Sequence, residues 1–359
     1  MRTFLFATLI FAVTASAQRG NPRVAFEGES VDAMIAAYMQ EHGVDGMSLA
    51  IVQAPYVTRA TGYGIADRDT RTLVSANTMF DVADMKNAYT AVAAMQLVEA
   101  GKLDLATVQP LIRKPAEYPR LETMIAAAAG MSYRDFVRKG QFERLGLKHT
   151  LFAADLGVSQ RESLKPGDRH QRFLREPVLV DPTEPASGNG SSAPDAIYSS
   201  ATDISIWDIG LAGEILIKDP ALRKVLYEPA AANVPTSGPW FFPGHPGLMI
   251  TTGSGSGFSS LLSRFTHRDE LVCVTLLANR EGLDLTQLAR RIAGAFNPRL
   301  GPPAKAAGKR VQQSPFSVAE TTARLGANAS RVEVWEENGE VWLTADDAAL
   351  DAVLLEAIQ

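Results

Sequence analysis

Residues 80–105 read FDVADMKNAYTAVAAMQLVEAGKLDL, and this stretch decides the fold of the chain. From about Met85 to Ala100, apolar and alanine side chains recur with helical spacing, which predicts a helix. Gly101 is predicted to end that helix, because glycine adopts the left-handed conformation of a helix C-terminus without steric cost. Residues 102–105 are then expected to leave the helix in an extended form.

The patterns on either side of this helix predict an α+β fold. Before it, Ser30 is a suitable N-cap for a helix over residues 31–42, and strands are predicted over residues 47–53 and 56–63. After it, the predicted helices cover residues 121–129, 131–144, 204–217 and 283–296, and the predicted antiparallel strands cover residues 248–252, 258–265 and 271–278. This order predicts an antiparallel sheet that the first and last helices cover.

The N-terminus has the order of a secretory signal peptide. Arg2 supplies a positive charge, residues 4–13 form a ten-residue apolar run, and Ala15–Ala17 is a small-x-small cleavage sequence. A run of this length is too short to span a bilayer comfortably. We therefore expect residues 1–17 to be removed and the protein to be exported, to the periplasm or out of the cell.

Charge and cysteine content exclude several classes of protein. Without Arg2 the chain has 35 − 1 = 34 basic and 40 acidic residues, a net charge of −6, and no basic cluster that would bind nucleic acid. The lone Cys273 excludes an intramolecular disulfide, and the five histidines lack metal-ligand spacing. We predict no cofactor, no metal site and no transmembrane anchor.

Residues 303–359 are predicted to form a linker and a small helix-hairpin tail. The stretch GPPAKAAGK over residues 301–309 has the composition of a linker, and a helix is predicted over residues 318–325. Strands over residues 332–335 and 341–344 flank Asn338-Gly339, a pair typical of a type I′ turn. A tail this short buries little surface alone, so we expect it to dock on the main domain.

Several segments between residues 30 and 297 resemble the serine β-lactamases and penicillin-binding-protein-type hydrolases, which include D-alanyl-D-alanine carboxypeptidases. These segments are Thr78–Phe80, Thr90–Val92, Gln96–Leu105, Gly130–Tyr133, Phe142–Leu147, Tyr198–Asp203, Gly257–Ser260 and Leu276–Arg280. They follow one another in the family's order. The resemblance implies a β-lactamase-like domain over residues 18–302, an antiparallel sheet flanked by helices with a pocket at the sheet edge.

The family's chemistry depends on a serine at the start of a helix and a lysine three residues later. That spacing places both side chains on one helical face, so that the amine can accept the hydroxyl proton. Counting back from Thr90 places the serine position on Asp84 and the lysine position on Asn87. No serine in the chain is followed by a lysine three residues later. Lys86 is one position off, which rotates it by about 100° around the helix.

The other walls of the pocket also depart from the family pattern. The tyrosine position falls near Arg113, and Tyr118 is a nearby tyrosine that is off register. Only 113 − 87 = 26 residues separate Asn87 from Arg113, where the family has a long helical insertion. The helical subdomain is therefore predicted to be shortened. The edge-strand motif falls on Thr251–Gly253, with Thr251 in place of the basic residue.

The leading hypothesis is a family member with impaired catalysis. An ionised Asp84 would repel the negative charge that develops in an oxyanion hole, although the same residue is also an ordinary acid favoured at a helix N-terminus. A residual pocket formed by Asp84, Lys86, Tyr118, Thr252 and Gly253 would bind peptidoglycan peptides or β-lactam-like molecules.

Two other hypotheses remain open. One is an active hydrolase with rearranged chemistry, in which Lys86 serves as the base and Thr78 or Ser254 supplies the hydroxyl. The other is a non-enzymatic envelope binding module that uses the pocket and the C-terminal hairpin to hold a partner.

Overall fold

The structure is a computed structural model that describes residues 24–68, 71–156, 193–228, 236–241, 248–265, 271–302, 311–337 and 339–345. Some predictions fall on other residues, namely the signal peptide, the linker over residues 303–309, and Asn338 of the predicted turn. These predictions lie outside the described residues.

The described helices and strands alternate in the order expected of an α+β protein. The helices are α1 (Val31–His42), α2 (Lys86–Glu99), α3 (Leu105–Ile112), α4 (Tyr118–Ala129), α5 (Tyr133–Val137), α6 (Ala201–Ala212), α7 (Pro220–Tyr227), α8 (Thr286–Gly294) and α9 (Val318–Leu325). The strands are β1 (Ala25–Phe26), β2 (Glu29–Ser30), β3 (Gly46–Gln53), β4 (Tyr56–Asp67), β5 (Thr72–Leu73), β6 (Phe80–Asp81), β7 (Thr150–Phe152), β8 (Ile197–Ser199), β9 (Thr236–Ser237), β10 (Trp240–Phe241), β11 (Leu248–Gly255), β12 (Phe258–Phe265), β13 (Val272–Ala278), β14 (Gln312–Ser314), β15 (Val332–Glu337) and β16 (Glu340–Ala345).

One antiparallel sheet of eight strands organises the main part of the chain, in the order β5-β4-β3-β13-β12-β11-β10-β9. Its two faces are distinguished by the alternation of side chains along each strand. On β12, Leu261 joins the apolar cluster with α1 and α8, whereas Leu262 joins the cluster with α2 and α6. The predicted fold class, an antiparallel sheet flanked by helices, is confirmed.

Helix α2 is the buried centre of the helical layer. Its alanines at positions 88, 91, 93 and 94 are fully buried, as are Tyr89 and Val92. A helix that is apolar on all sides is stable only inside a larger core, and its small side chains let neighbouring elements approach closely. Gly101 follows it with a φ of +68°, as predicted.

Three of the predicted helix or strand boundaries are wrong, each where a polar helix cap or a local distortion sets the backbone conformation. Residues 102–105 do not stay extended, since Asp104 accepts a hydrogen bond from the Thr107 N–H and begins α3 at Leu105. The predicted helix over 131–144 is α5 followed by a π-helical turn over Arg138–Glu143. The helix predicted over 204–217 begins earlier because Ser200 caps α6.

The C-terminal tail forms a three-stranded sheet in the order β14-β16-β15, with α9 beside it, so the predicted hairpin and helix are confirmed. Arg290 of α8 connects this sheet to the main domain. Its guanidinium donates to both carboxylate oxygens of Glu340 at 3.0 Å and to Gln313 at 3.0 Å, and it lies 5.0 Å from the Trp342 ring centre. The tail is therefore docked through a buried cation.

Within the described ranges, no helix combines the length and the apolar character needed to cross a bilayer. In the same part of the chain, no group of three or more histidine, cysteine, aspartate or glutamate side chains is arranged to hold a metal ion.

Candidate functional site

The candidate site begins at the turn that connects β6 to α2. The Val82 N–H donates to the Ile197 carbonyl at 2.9 Å, which ties the turn to β8. The Asp81 carboxylate then accepts the Ala83 N–H at 2.8 Å. Ala83 has a φ of +49°, a left-handed conformation that non-glycine residues rarely adopt. Such strain persists only where the surroundings enforce it, and it is common at functional sites.

Strand β11 lies directly against this turn, and Gly253 makes the approach possible. A Cβ atom at Gly253 would lie 2.1 Å from the Val82 carbonyl oxygen and 2.8 Å from the Met85 nitrogen. From the adjacent strand β12, the Ser260 hydroxyl donates to the same Val82 carbonyl at 2.8 Å. The structure therefore brings the Val82–Met85 turn and Gly253 of β11 together.

Asp84 lies on the exposed side of the turn. Its backbone carbonyl accepts the Lys86 N–H, whereas its carboxylate forms no hydrogen bond or ion pair with the residues that the structure describes. Asn87 is partly exposed one turn later on α2. The assignment of Asp84 and Asn87 to the family's serine and lysine positions stays a prediction from the sequence.

Lys86 is engaged with α4 rather than with a hydroxyl group. Its Nζ lies 3.6 Å from Oε1 of Glu122, whose side chain is 15% exposed. Burial raises the pKa of the Glu122 carboxyl above its ordinary value, the nearby charge of Asp195 also raises it, and Lys86 opposes the change. The positive charge of the Lys86 ammonium therefore balances the negative charge of the partly buried Glu122 carboxylate.

The side chains of β11 alternate between solvent and the interior. Thr252 and Ser254 are exposed, and the Ser254 hydroxyl accepts the Gly282 N–H at 2.9 Å. Thr251 is only 2% exposed and lies on the same side as Gly253. Its hydroxyl has no hydrogen-bond partner among the described residues.

The two residues proposed near the tyrosine position have different environments. Tyr118 is buried, its hydroxyl donates to the Ile112 carbonyl at 2.8 Å, and burial raises its pKa far above the ordinary value. This geometry gives Tyr118 a packing role between α3 and α4. Arg113 directly follows α3, and its buried Nε has no partner within the described ranges. No ion pair joins Arg113 to Asp84.

The rearranged-hydrolase hypothesis gains no support from the hydroxyl groups that it named. Thr78 is fully buried, and its Oγ1 accepts the Ser75 N–H at 2.8 Å. The Ser254 side chain is on the solvent side of β11, and its hydroxyl accepts the Gly282 N–H. Neither hydroxyl has a recorded contact with Lys86.

Sequence reasoning missed two features of the site. A buried hydrogen bond of 2.7 Å joins the Thr90 and Tyr133 hydroxyls, and Glu122 faces Lys86. Thr90 and Tyr133 both belong to segments that carry the family resemblance, so the sequence contained a sign that these residues matter. The sequence contained no such sign for Glu122, because its contact with Lys86 depends on how α2 and α4 pack.

The fold is that of the penicillin-binding proteins and class C β-lactamases. The octameric penicillin-binding protein homologue from Pyrococcus abyssi matches with a TM-score of 0.56 and 16% identity, over 89% of this chain and 88% of that one. A class C β-lactamase matches with a TM-score of 0.57 and 16% identity, over 74% and 96% of the two chains. The D-alanine carboxypeptidase AmpC from Burkholderia cenocepacia matches with a TM-score of 0.56 and 15% identity, over 74% and 97%.

One part of the sequence is also similar to members of this family. Residues 31–108, which include the Asp84 turn and α2, match the sequence model of the Beta-lactamase family. A β-lactamase from Lysobacter lactamgenus is 30% identical over 105 residues, 29% of this chain and 27% of that protein. A β-lactamase from Pseudomonas fluorescens is 30% identical over 79 residues, 21% of each chain. The match thus spans about a quarter of these relatives' length, and the predicted family resemblance is confirmed.

The left-handed conformation of Ala83 leads to a stability prediction. Ala83→Gly is expected to raise the free energy of unfolding by about 1 kcal/mol, because glycine adopts a positive φ without a Cβ clash. Urea denaturation measures the change. Ala88→Gly, the same substitution inside α2, is the matched control and should instead lower stability by about 1 kcal/mol or more. A loss of stability in both variants would show that Ala83 is unstrained.

Proposed function

We propose that this protein is an exported member of the β-lactamase and penicillin-binding-protein family that binds the family's ligands without acyl transfer. The ligand class is peptidoglycan peptides or β-lactam-like molecules. One observation carries the proposal: the exposed carboxylate of Asp84, the residue to which counting along the sequence assigns the family's serine position, lies on a turn that packs against Gly253.

The chemistry of the site supports loss of turnover. Acyl transfer needs a hydroxyl whose proton passes to a base as the oxygen attacks, together with donors that stabilise the resulting oxyanion. Asp84 has no such proton to give, and Asn87 cannot accept one. Removing one oxyanion donor costs about 3–4 kcal/mol of transition-state stabilisation, and a carboxylate at the same place would add repulsion.

The binding half of the proposal rests on what the site retains. The turn keeps its left-handed residue at Ala83, and β11 keeps the glycine that allows close approach. The scaffold for ligand placement is thus present without the reacting groups.

A fluorescent penicillin followed by intact-mass measurement tests the proposal. We expect no covalent adduct on the wild-type protein and no turnover, whereas an active carboxypeptidase of the same fold serves as the positive control. A thermal-shift titration with a murein-type peptide should show saturable stabilisation. An adduct would contradict the loss of catalysis, and no shift at any concentration would contradict the binding.

The double variant Asp84→Ser with Asn87→Lys restores the family pair on the same scaffold. We expect it to remain below full activity, because Thr251 still replaces the basic residue and the helical region between α2 and α4 is short. Full turnover in this variant would show that the rest of the pocket is intact.

A further inference from the structure

The backbone of Val82 is held from both sides by two strands that flank the turn carrying Asp84. Its N–H donates to the Ile197 carbonyl of β8 at 2.9 Å, and its carbonyl oxygen accepts the Ser260 hydroxyl of β12 at 2.8 Å. Val82 is fully buried, and Ser260 is 2% exposed. Because water has little access to these groups, neither hydrogen bond is easily replaced when one partner is removed.

Ala83, the next residue, depends on these contacts for its conformation. Its φ of +49° lies in the left-handed region, which a residue with a Cβ rarely adopts. The Asp81 carboxylate accepts the Ala83 N–H at 2.8 Å, and the Met85 N–H donates to the Val82 carbonyl at 3.1 Å. A strained conformation of this kind persists only while its surroundings enforce it. Loss of one surrounding hydrogen bond should therefore let the turn relax.

Gly253 and Ser260 are paired across β11 and β12, and both lie against the Val82 carbonyl. A Cβ atom at Gly253 would lie 2.1 Å from that oxygen and 2.8 Å from the Ser260 Oγ. The Ser260 Oγ is 3.5 Å from the Gly253 carbonyl oxygen, so the closer Val82 oxygen is its main acceptor. The absence of a side chain at Gly253 thus leaves room for the hydrogen bond between Ser260 and the turn.

We propose that Ser260 is a positioning residue, whose hydroxyl holds the turn over residues 82–85 in the conformation that receives a ligand. This inference rests on the proposed binding function and names a residue that organises the same site. Asp84 is exposed between the buried residues Val82 and Met85, so the direction of its carboxylate depends on how those two residues are held. Ser260 is itself buried beneath the turn and acts on the ligand through it.

Hydrogen exchange of the full chain, measured by mass spectrometry, tests the positioning role without any ligand. The N–H groups of Val82, Ala83 and Met85 all donate hydrogen bonds, so they exchange only when the turn opens. We expect Ser260→Ala to speed exchange in peptides that cover residues 81–86 by about tenfold, because one of the bonds that keep the turn closed is lost.

Ser263→Ala is the matched control on the same strand. Ser263 is 1% exposed, and its hydroxyl has no hydrogen-bond partner among the described residues. Its side chain lies on the opposite face of the sheet from that of Ser260, because side chains alternate along a strand. The control therefore removes the same atom from an equally buried position, and exchange over residues 81–86 should stay at the wild-type rate.

Calorimetric titration with a short peptide ending in D-alanyl-D-alanine tests the consequence for binding. We expect Ser260→Ala to weaken binding by about tenfold, and Ser263→Ala to leave it within about twofold of the wild type. In the Ala83→Gly background, Ser260→Ala should weaken binding by only about twofold, because glycine adopts the left-handed conformation without strain. A general loss of stability would not depend on the residue at position 83. Thermal unfolding checks that each variant is folded at the titration temperature.

The two measurements separate failure of this inference from failure of the proposed function. Unchanged exchange in Ser260→Ala would overturn the inference and leave the binding function standing. Faster exchange with unchanged affinity would also overturn it, because the turn would then not control binding. The same loss of affinity in both backgrounds would do so as well, since Ser260 would then act elsewhere than on the strained turn. If the wild-type protein does not bind the peptide, the proposed function is wrong, and the inference is wrong with it.

Discussion

Asp208→Asn is expected to lower the free energy of unfolding by about 3–5 kcal/mol. Asp208 on α6 accepts a 2.7 Å hydrogen bond from Nε of Arg264 on β12, and a second contact joins the same carboxylate to Nη2. The two residues are 2% and 6% exposed. Without the carboxylate, a guanidinium remains buried beside the Tyr227 hydroxyl with no charge to balance it. The cost arises because a buried, unpaired ion has lost its hydration without compensation.

Equilibrium unfolding in urea measures this loss. The matched control is Glu228→Gln, which removes a surface carboxylate 2.9 Å from Lys224 and should change stability by about 1 kcal/mol or less. The double substitution Asp208→Leu with Arg264→Met should recover most of the loss, since it removes both buried charges together. If Asp208→Asn lowers the free energy of unfolding by no more than Glu228→Gln does, water reaches the Asp208–Arg264 ion pair.

Arg290→Met is expected to cost about 3–5 kcal/mol as well, and to loosen the C-terminal sheet from the main domain. Arg290 is fully buried, and it is the donor to Glu340, to Gln313 and to the Gly301 carbonyl. Methionine keeps much of the side-chain volume but leaves the Glu340 carboxylate, 7% exposed, without its cationic partner and with only the Gln313 amide as a donor. The tail then loses the polar contact that connects β14 and β16 to α8.

Urea unfolding combined with limited proteolysis distinguishes loosening of the tail from general loss of stability. We expect faster cleavage within residues 303–359 in the variant, before the main domain is cut. Arg291→Met is the matched control on the same helix, because Arg291 is 37% exposed and pairs with Glu29 at the surface. Equal proteolysis of the two variants would contradict a docking role for Arg290.

The sequence predicted those parts of the fold that depend on near neighbours along the chain. Helix α2, strand β12 and helix α9 were predicted over ranges that match or nearly match the observed ones, and Gly101 was predicted as the left-handed end of α2. The position of Asp84 at the start of α2 also followed, since counting along one helix needs no knowledge of the rest of the molecule.

The tertiary structure decided what surrounds each of these residues. Gly253 lies against Val82, Lys86 pairs with Glu122, and Arg290 meets Glu340, although each pair is separated by 36 or more residues in the sequence. Tyr118 is buried between α3 and α4, where its hydroxyl donates to the Ile112 carbonyl. Periodicity specifies which side of an element is apolar, but it does not specify which element covers that side. Contacts between distant segments form only when the sheet and the helices pack. These contacts determine which charged side chains lie next to one another in the site.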